Sequence, residues 1–388
     1  MIALIGGKVI TIADGVLEGG TVLVEGAKIR EVGMNIPIPA DAEKVDVSGY
    51  WVTPGLIDAH THISVMGEPH PADPADGNEM SDPVTPHLRA IDALNPRDPA
   101  IAESMKAGFT TCYTGPGSAN VIGGTGISLK LKSGKTIDDI ILPGSEHMKA
   151  ALGENPKKVY GDAKKAPMTR MAIAALLREA LYKAKDYGEE WENHKKDGSK
   201  PAPKRDFKLE PLLPVVQGRM KLRIHCHRSD DIYTAIRIAE EFGLDYAIEH
   251  CTEGYRIPEV LAEKKVPCVI GPLAMGLRKK EIWEANLDCA KILTEAGVDI
   301  CFTEDASWDT KWLLMKIGLC IGRGLQEEAA FRAVTINPAK LLGLDARIGT
   351  LVAGKDADIA IFNGNPFLNT TLCKATMIDG KWEYKNIV

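Results

Sequence analysis

Pro54-Gly55-Leu56-Ile57-Asp58-Ala59-His60-Thr61-His62 is the stretch on which the fold turns. An apolar run follows a Pro-Gly turn and ends in two histidines two residues apart. In a strand, residues i and i+2 share a face. Both imidazoles can therefore meet one metal ion, and histidine is the commonest metal ligand. A bare His-x-His arises often by chance. Here, further His and Asp residues close later strand-like runs, which makes the pattern a constellation.

Outward from that stretch, the middle of the chain alternates strand-like and helix-like runs, the signature of βα units. Eight candidate strands fall at 56–60, 109–114, 127–131, 147–152, 222–227, 246–250, 266–270 and 299–303. Helices are expected between them, for example at 99–107, 232–242 and 287–296. Asp230 or Asp231 can open the second of these and Gly243 can close it. Eight parallel units predict an α/β chain folded as a (β/α)8 TIM-type barrel, with catalytic groups at the C-terminal ends of strands.

Two segments break the rhythm. Residues 66–87 form a long loop rich in Pro, Asp, Glu and Gly. Residues 153–220 read as an insertion, with an amphipathic helix near 168–187 and a charged stretch at 193–207. The insertion is either a surface excursion or a lid or oligomer contact. The two ends of the chain share another character. Lys8-Val9-Ile10-Thr11-Ile12 and Thr21-Val22-Leu23-Val24 near the start, and Asp358-Ile359-Ala360-Ile361-Phe362 near the end, are short strands bounded by turn residues. Residues 1–54 and 345–388 are therefore expected to pair into a small β-sandwich domain flanking a barrel of residues 55–344.

Placed on the eight strands, the remaining histidines and acids fall at one end. His225 closes the fifth strand, His250 the sixth and Asp305 the eighth, with His60 and His62 on the first. A single histidine in such a place is ordinarily a satisfied core or loop side chain. Several at matching strand ends point to a divalent metal.

Composition is that of an ordinary globular protein: 388 residues, 45% hydrophobic, 26% charged, net charge -6. That balance gives no reason to expect a nucleic-acid partner. No apolar run is long enough to span a membrane, and the N-terminal residues do not read as a signal peptide. The eight cysteines are scattered without a Cys-x-x-Cys pair, so buried free thiols and a cytoplasmic setting are expected.

With these residues placed, the chain resembles the amidohydrolase superfamily over nearly its whole length. The resemblance rests on residues 54–62, on Thr335-Ile336-Asn337-Pro338-Ala339-Lys340, and on the run from Ile348-Gly349-Thr350 to Asp358-Ile359-Ala360. It is strongest to imidazolonepropionase-like and prolidase-like members. It implies one or two divalent ions, usually zinc, with manganese, cobalt or iron as alternatives, and attack by metal-activated hydroxide. Matched position by position, it implies His60, His62 and Asp305 at the more buried metal site and His225 and His250 at the second. His227 competes with His225 and is otherwise a supporting or substrate-touching residue. The bridging position, usually a lysine carboxylated by carbon dioxide, matches Lys149, with Glu146 and Lys130 as rivals. A lysine buried between two cations is driven to the neutral amine that this reaction needs.

The expected chemistry is hydrolysis of a C–N bond in an amide, a cyclic amide or a dipeptide-like compound, with Asp305 shuttling the proton. Arg228 could clamp a substrate carboxylate, or simply pair with Asp230 or Asp231. Tyr113 and Tyr255 could line the pocket. Glu79 and Asp82 in the long first loop could reach the site but are by default solvated. The glycine-rich run 115–126 lacks the terminal Gly-Lys-Ser/Thr of a phosphate loop. Ring deamination with a mononuclear site is the alternative, disfavoured because His-Cys-His-Arg-Ser-Asp at 225–230 lacks a nearby His-x-x-Glu. A non-catalytic scaffold would have lost ligands, and no His-Glu-x-x-His marks a metalloprotease. The partner expected is a small-molecule substrate, with a homo-oligomer as a further expectation.

Overall fold

The computed structural model describes residues 1–387 except 68–75, 135, 200, 277–278 and 306. Strands β1 (Ile2–Ile10), β2 (Val16–Glu25), β3 (Lys28–Gly33), β4 (Glu43–Asp46) and β5 (Trp51–Pro54) come first. β6 (Leu56–Thr61), β7 (Phe109–Thr114), β8 (Ile122–Lys130), β9 (Ile141–Ala151), β10 (Leu222–Cys226), β11 (Tyr246–His250), β12 (Cys268–Ile270) and β13 (Ile300–Phe302) form the middle. β14 (Ile359–Phe362), β15 (Cys373–Ile378) and β16 (Lys381–Lys385) close the chain.

The two ends do meet. One sheet runs β16-β15-β14-β5-β1-β2-β3, with β4 paired to β1. The junction is the antiparallel pair β14–β5, where Ile361 lies opposite Val52. Alternate residues of these strands, including Leu4, Val9, Val22, Val52, Ile359, Ile361 and Met377, bury one face.

The second sheet runs β6 through β13 in chain order. It curls until β13 returns beside β6, where Thr303 donates its hydroxyl to the His60 carbonyl. All eight expected strands are present, but the third runs the other way. β8 is antiparallel to both β7 and β9. A parallel partner needs a crossover of a dozen or more residues, and only residues 115–121 separate β7 from β8. The glycine-rich run is therefore a tight return and half a strand, not a phosphate cradle. A Cβ on Gly126 would sit 2.4 Å from the Tyr113 hydroxyl, so the bare backbone makes room for that ring.

Helices cover the barrel. Pro99–Lys106 starts where the Asp98 carboxylate accepts the Ala100 amide (2.9 Å) ahead of Pro99, a good first helical residue. Ser229–Phe242 begins after Arg228 with no side-chain cap, so Asp230 and Asp231 do not open it but occupy its first turn, where their charge suits the helix dipole. Gly243 ends it in the left-handed region at φ 63. Within the insertion, Arg170–Lys196 buries Ile173, Leu177, Leu181 and Ala184 on one face. It packs beside the helix Ser229–Phe242, with Arg178 bonded to Glu241 (2.7 Å) and Tyr182 edge-on to Phe242. It is thus the wall helix that follows β9. The short helix Glu154–Asp162 instead lies at the barrel mouth.

Among the described residues, all eight cysteines are free thiols. No described helix is long and apolar enough to cross a membrane.

Candidate metal centre

Pleating decides which side chains enter the barrel. On β10, Leu222, Ile224 and Cys226 pack outward into the helix layer, which leaves Arg223 and His225 facing inward. On β11, Ala247 and Glu249 face inward, Ala247 joining Ala59, Val269 and Cys301 on the barrel floor. His250 breaks this alternation. It and Cys251 lie in the left-handed region at φ 68 and 46, so His250 turns toward the same interior as Glu249. On β6, the ladder to β7 slips between Asp58 and Thr61. Asp58 turns away to the Thr310 hydroxyl (2.8 Å), while His60 and His62 turn in. Asp305 also has a positive φ, 52.

Two clusters result. The Nε2 atoms of His60 and His62 lie 3.1 and 3.3 Å from one oxygen of Asp305. His225, His227 and His250 bring ring nitrogens within 4.8 Å of one another, and His60, Glu249 and His250 link the groups. Ring orientation is fixed from behind. His62 Nδ1 bonds the Gly115 carbonyl (2.8 Å), His250 Nδ1 the Gly271 carbonyl (2.8 Å) and His227 Nδ1 the Thr252 hydroxyl (2.7 Å). Each turns Nε2 toward the clusters, the arrangement seen behind metal-bound imidazoles.

Electrostatics suit that role. Burial pushes the imidazoles of His225 and His227 well below the usual histidine range. Burial also brings His250 down to about 4 despite the opposing pull of Asp305. All three are neutral at pH 7, the form that ligates. Burial works against the charge on Asp305. The neighbouring His250, with hydrogen bonds from His60 and His62, outweighs it and holds the carboxyl well below its ordinary value. His225 Nδ1 is buried with no hydrogen-bond partner. A set of convergent imidazoles with one carboxylate fits a divalent ion.

Beneath the clusters lies a charged floor. Glu249 accepts from Arg223 Nε (2.9 Å), lies 3.1 Å from His60 Nδ1, and is in contact with Lys149. Burial opposes its ionisation, but His60, Lys149 and Arg223 together hold it well below the carboxylate range. Arg223 reaches the Ala59 carbonyl (2.8 Å) and lies under the Tyr113 ring.

Residues 51–387 match the amidohydrolase family. The chain belongs to that family. An amidohydrolase from Thermotoga maritima has the same structure at a TM-score of 0.95, with 39% identity over 99% of this chain and 100% of the other. Amidohydrolase tasK of Hapsidospora irregularis is 28% identical over 397 residues, covering 95% of this chain. The chain spans 40% of that relative's length. The imidazolonepropionase of Maricaulis maris is 26% identical over 380 residues, 90% of this chain and 88% of that enzyme. A prolidase solved with N-methylphosphonate-L-proline shares the fold at a TM-score of 0.60 and 17% identity, with full-length coverage.

Within this amidohydrolase, the six residues read as metal ligands converge: His60, His62, His225, His250 and Asp305 in the clusters, and Lys149 3.5 Å from His60 Nε2. His227 joins His225 on the same face. The residues read as substrate contacts do not converge. Tyr113 is 1% exposed and sealed inside the barrel between His60, His147 and Arg223. Arg228 is held by Asp230 through two bonds of 2.9 and 2.8 Å. Tyr255 turns its hydroxyl to the Glu284 carbonyl (3.0 Å). The rival bridges fall away too. Lys130 is buried among Asp356, Asp358 and Asp379, and Glu146 takes the Gly144 amide on the rim (2.9 Å). Asp82 pairs with Lys208 (2.6 Å) and Glu79 with the Ser81 amide (3.0 Å), away from the clusters.

Four residues escaped the sequence reading: Arg223, Glu249, Glu281 and Lys279. The first two carried a signal, since a charge inside an otherwise apolar strand is rarely buried without a partner. The others lie beyond β12 and reach the site only through the return of the loop.

Proposed function

We propose that this chain is a metal-dependent hydrolase of C–N bonds in amides, cyclic amides or dipeptide-like compounds. The observation that carries the reading is the approach of His60 and His62 Nε2 to one Asp305 oxygen, 3.1 and 3.3 Å. These three would hold one ion, and His225 with His250 a second. Lys149 would bridge them once its amine has taken up carbon dioxide. A divalent ion there lowers the pKa of a coordinated water and polarises a carbonyl. Zinc suits the imidazole-rich set, and manganese, cobalt or iron suit a mixed nitrogen and oxygen site.

Asp305 carries the proton. It is ionised at neutral pH and its side chain is 26% exposed, so it can meet both water and substrate. It accepts a proton from the attacking water and delivers it to the leaving nitrogen. His227, oriented by Thr252, borders the same space. A recess of about 110 Å³ opens beside His250, lined by Thr252, Pro272, Leu273, Met275 and Leu287. Its mainly apolar wall favours a compact substrate with few charges.

The test is metal content per chain by elemental analysis, with and without bicarbonate, followed by a hydrolysis screen of lactams, cyclic amides, N-acyl amino acids and dipeptides. Two ions and turnover of a C–N bond are expected. No retained metal after zinc and manganese are supplied would overturn the proposal.

A further inference from the structure

The loop beyond β12 delivers a carboxylate to the three-histidine cluster. Glu281 sits in the short turn Lys280–Ile282 and is 3% exposed. Its two oxygens do different things. Oε2 accepts the Glu154 amide (2.8 Å), which fixes the carboxylate against the helix Glu154–Asp162. Oε1 is buried and accepts no well-formed hydrogen bond. It lies 3.7 Å from His227 Nε2 and 3.8 Å from His225 Nε2. Donors about 2.0–2.2 Å from a tetrahedral ion stand roughly 3.3–3.6 Å apart, so these separations are close to those around a shared ion.

We propose that Glu281 is a ligand of the second ion, completing with His225, His227 and His250 a site of three imidazoles and one carboxylate. This rests on the metal-dependent reading above and changes its ligand set: His227 becomes a ligand, and the second ion no longer depends on Lys149 for negative charge. The ammonium of Lys279, 2.9 Å from Glu281 Oε1, supplies the positive charge that a bound ion would replace. Asn155 offers that ammonium another partner at 3.1 Å, so Lys279 can step back without being stranded. Asn155 Nδ2 lies 3.3 Å from His225 Nε2, the same nitrogen that faces Glu281, and an ion there would displace that amide.

The competing role is structural, with Glu281 only capping the mouth helix and pairing with Lys279. Metal-free full-length protein is titrated with Zn²⁺ and with Co²⁺, reading stoichiometry, affinity by chelator competition, and the visible Co²⁺ spectrum. Glu281→Gln keeps an oxygen for the Glu154 amide but removes the charge. It is expected to weaken the second ion at least tenfold, leave the first unchanged and alter the Co²⁺ spectrum. Lys279→Met is expected to bind the second ion several-fold more tightly than wild type, because the ion no longer has to displace the ammonium, and unchanged or weaker second-ion affinity there would overturn the proposal. Wild-type stoichiometry, affinity and spectrum in Glu281→Gln would also overturn it. If that variant fails to fold, Lys279→Met decides through its affinity. Wild-type protein that binds ions unaffected by Glu281→Gln sinks only this inference. Wild-type protein that binds no ion sinks the functional reading as well.

Discussion

Glu249 and His250 are consecutive residues of β11, yet both side chains enter the barrel, because His250 departs from strand geometry at φ 68. That local break lets one strand supply both a member of the histidine clusters and the counter-charge beneath them. Glu249 is fully buried and touches Arg223, Lys149 and His60.

Glu249→Gln should therefore destabilise the metal-free protein. Two buried cations would lose their counter-charge, and breaking such a pair costs about 3–5 kcal/mol. Urea unfolding of the metal-free variant measures this. A change under ~1 kcal/mol would mean that Arg223 and Lys149 find their compensation elsewhere.

Asp305→Asn should abolish proton transfer while leaving part of the metal bound. His60 and His62 remain in place, so the first ion keeps two of its donors. The expected loss in kcat is about 10²–10⁴-fold, the range for a general acid–base group, with metal content reduced but not lost. Wild-type turnover in the variant would remove Asp305 from the chemistry.

The barrel, the terminal sheet and the gathering of His60, His62, His225, His250 and Asp305 at one end were legible in the sequence because each rests on a local pattern. His60 and His62 announce themselves by spacing, and His225, His250 and Asp305 by ending apolar runs. The reversal of β8 was not legible, since strand direction depends on the length of the return and not on the strand's own residues. Glu249 was passed over because strict alternation gives only one of Glu249 and His250 an inward face. For Arg228 the sequence left a pair with Asp230 open beside a substrate contact, and for both Arg228 and Tyr113 the choice rests on side-chain partners that no local pattern shows: the fold gives Tyr113 the Arg223 guanidinium and Arg228 the Asp230 carboxylate.

Lys149 offers a direct chemical readout. Its Nζ is in contact with Glu249 and lies 3.5 Å from His60 Nε2, so it can be an ammonium held by Glu249 or, with ions present, a carbamate. Metal-loaded protein in ¹³C-bicarbonate should give a carbamate carbon resonance that is missing both from Lys149→Met and from the metal-free protein. A loaded wild-type spectrum without that resonance would remove the bridge.

Asp356 and Asp358, two residues apart around the buried Lys130, should shape acid stability in opposite directions. Burial raises Asp356, but hydrogen bonds from Lys130 and Lys28 win and lower it to about 2. Its contribution is present above its ordinary value of 3.8 and is lost as pH falls through about 2. Asp358 is raised by burial, only partly offset by Lys130, to about 6. Folded protein therefore binds its proton more tightly than unfolded chain does, and the contribution present below 3.8 is lost as pH rises through about 6. That loss amounts to about 3 kcal/mol at 1.36 kcal/mol per pH unit. Asp358→Asn keeps an acceptor for the Asp379 amide and abolishes this titration. Between pH 4 and pH 6 the variant's denaturation free energy should fall about 2 kcal/mol less than that of wild type. Parallel curves across that window would show that Asp358 does not hold its proton in the folded state.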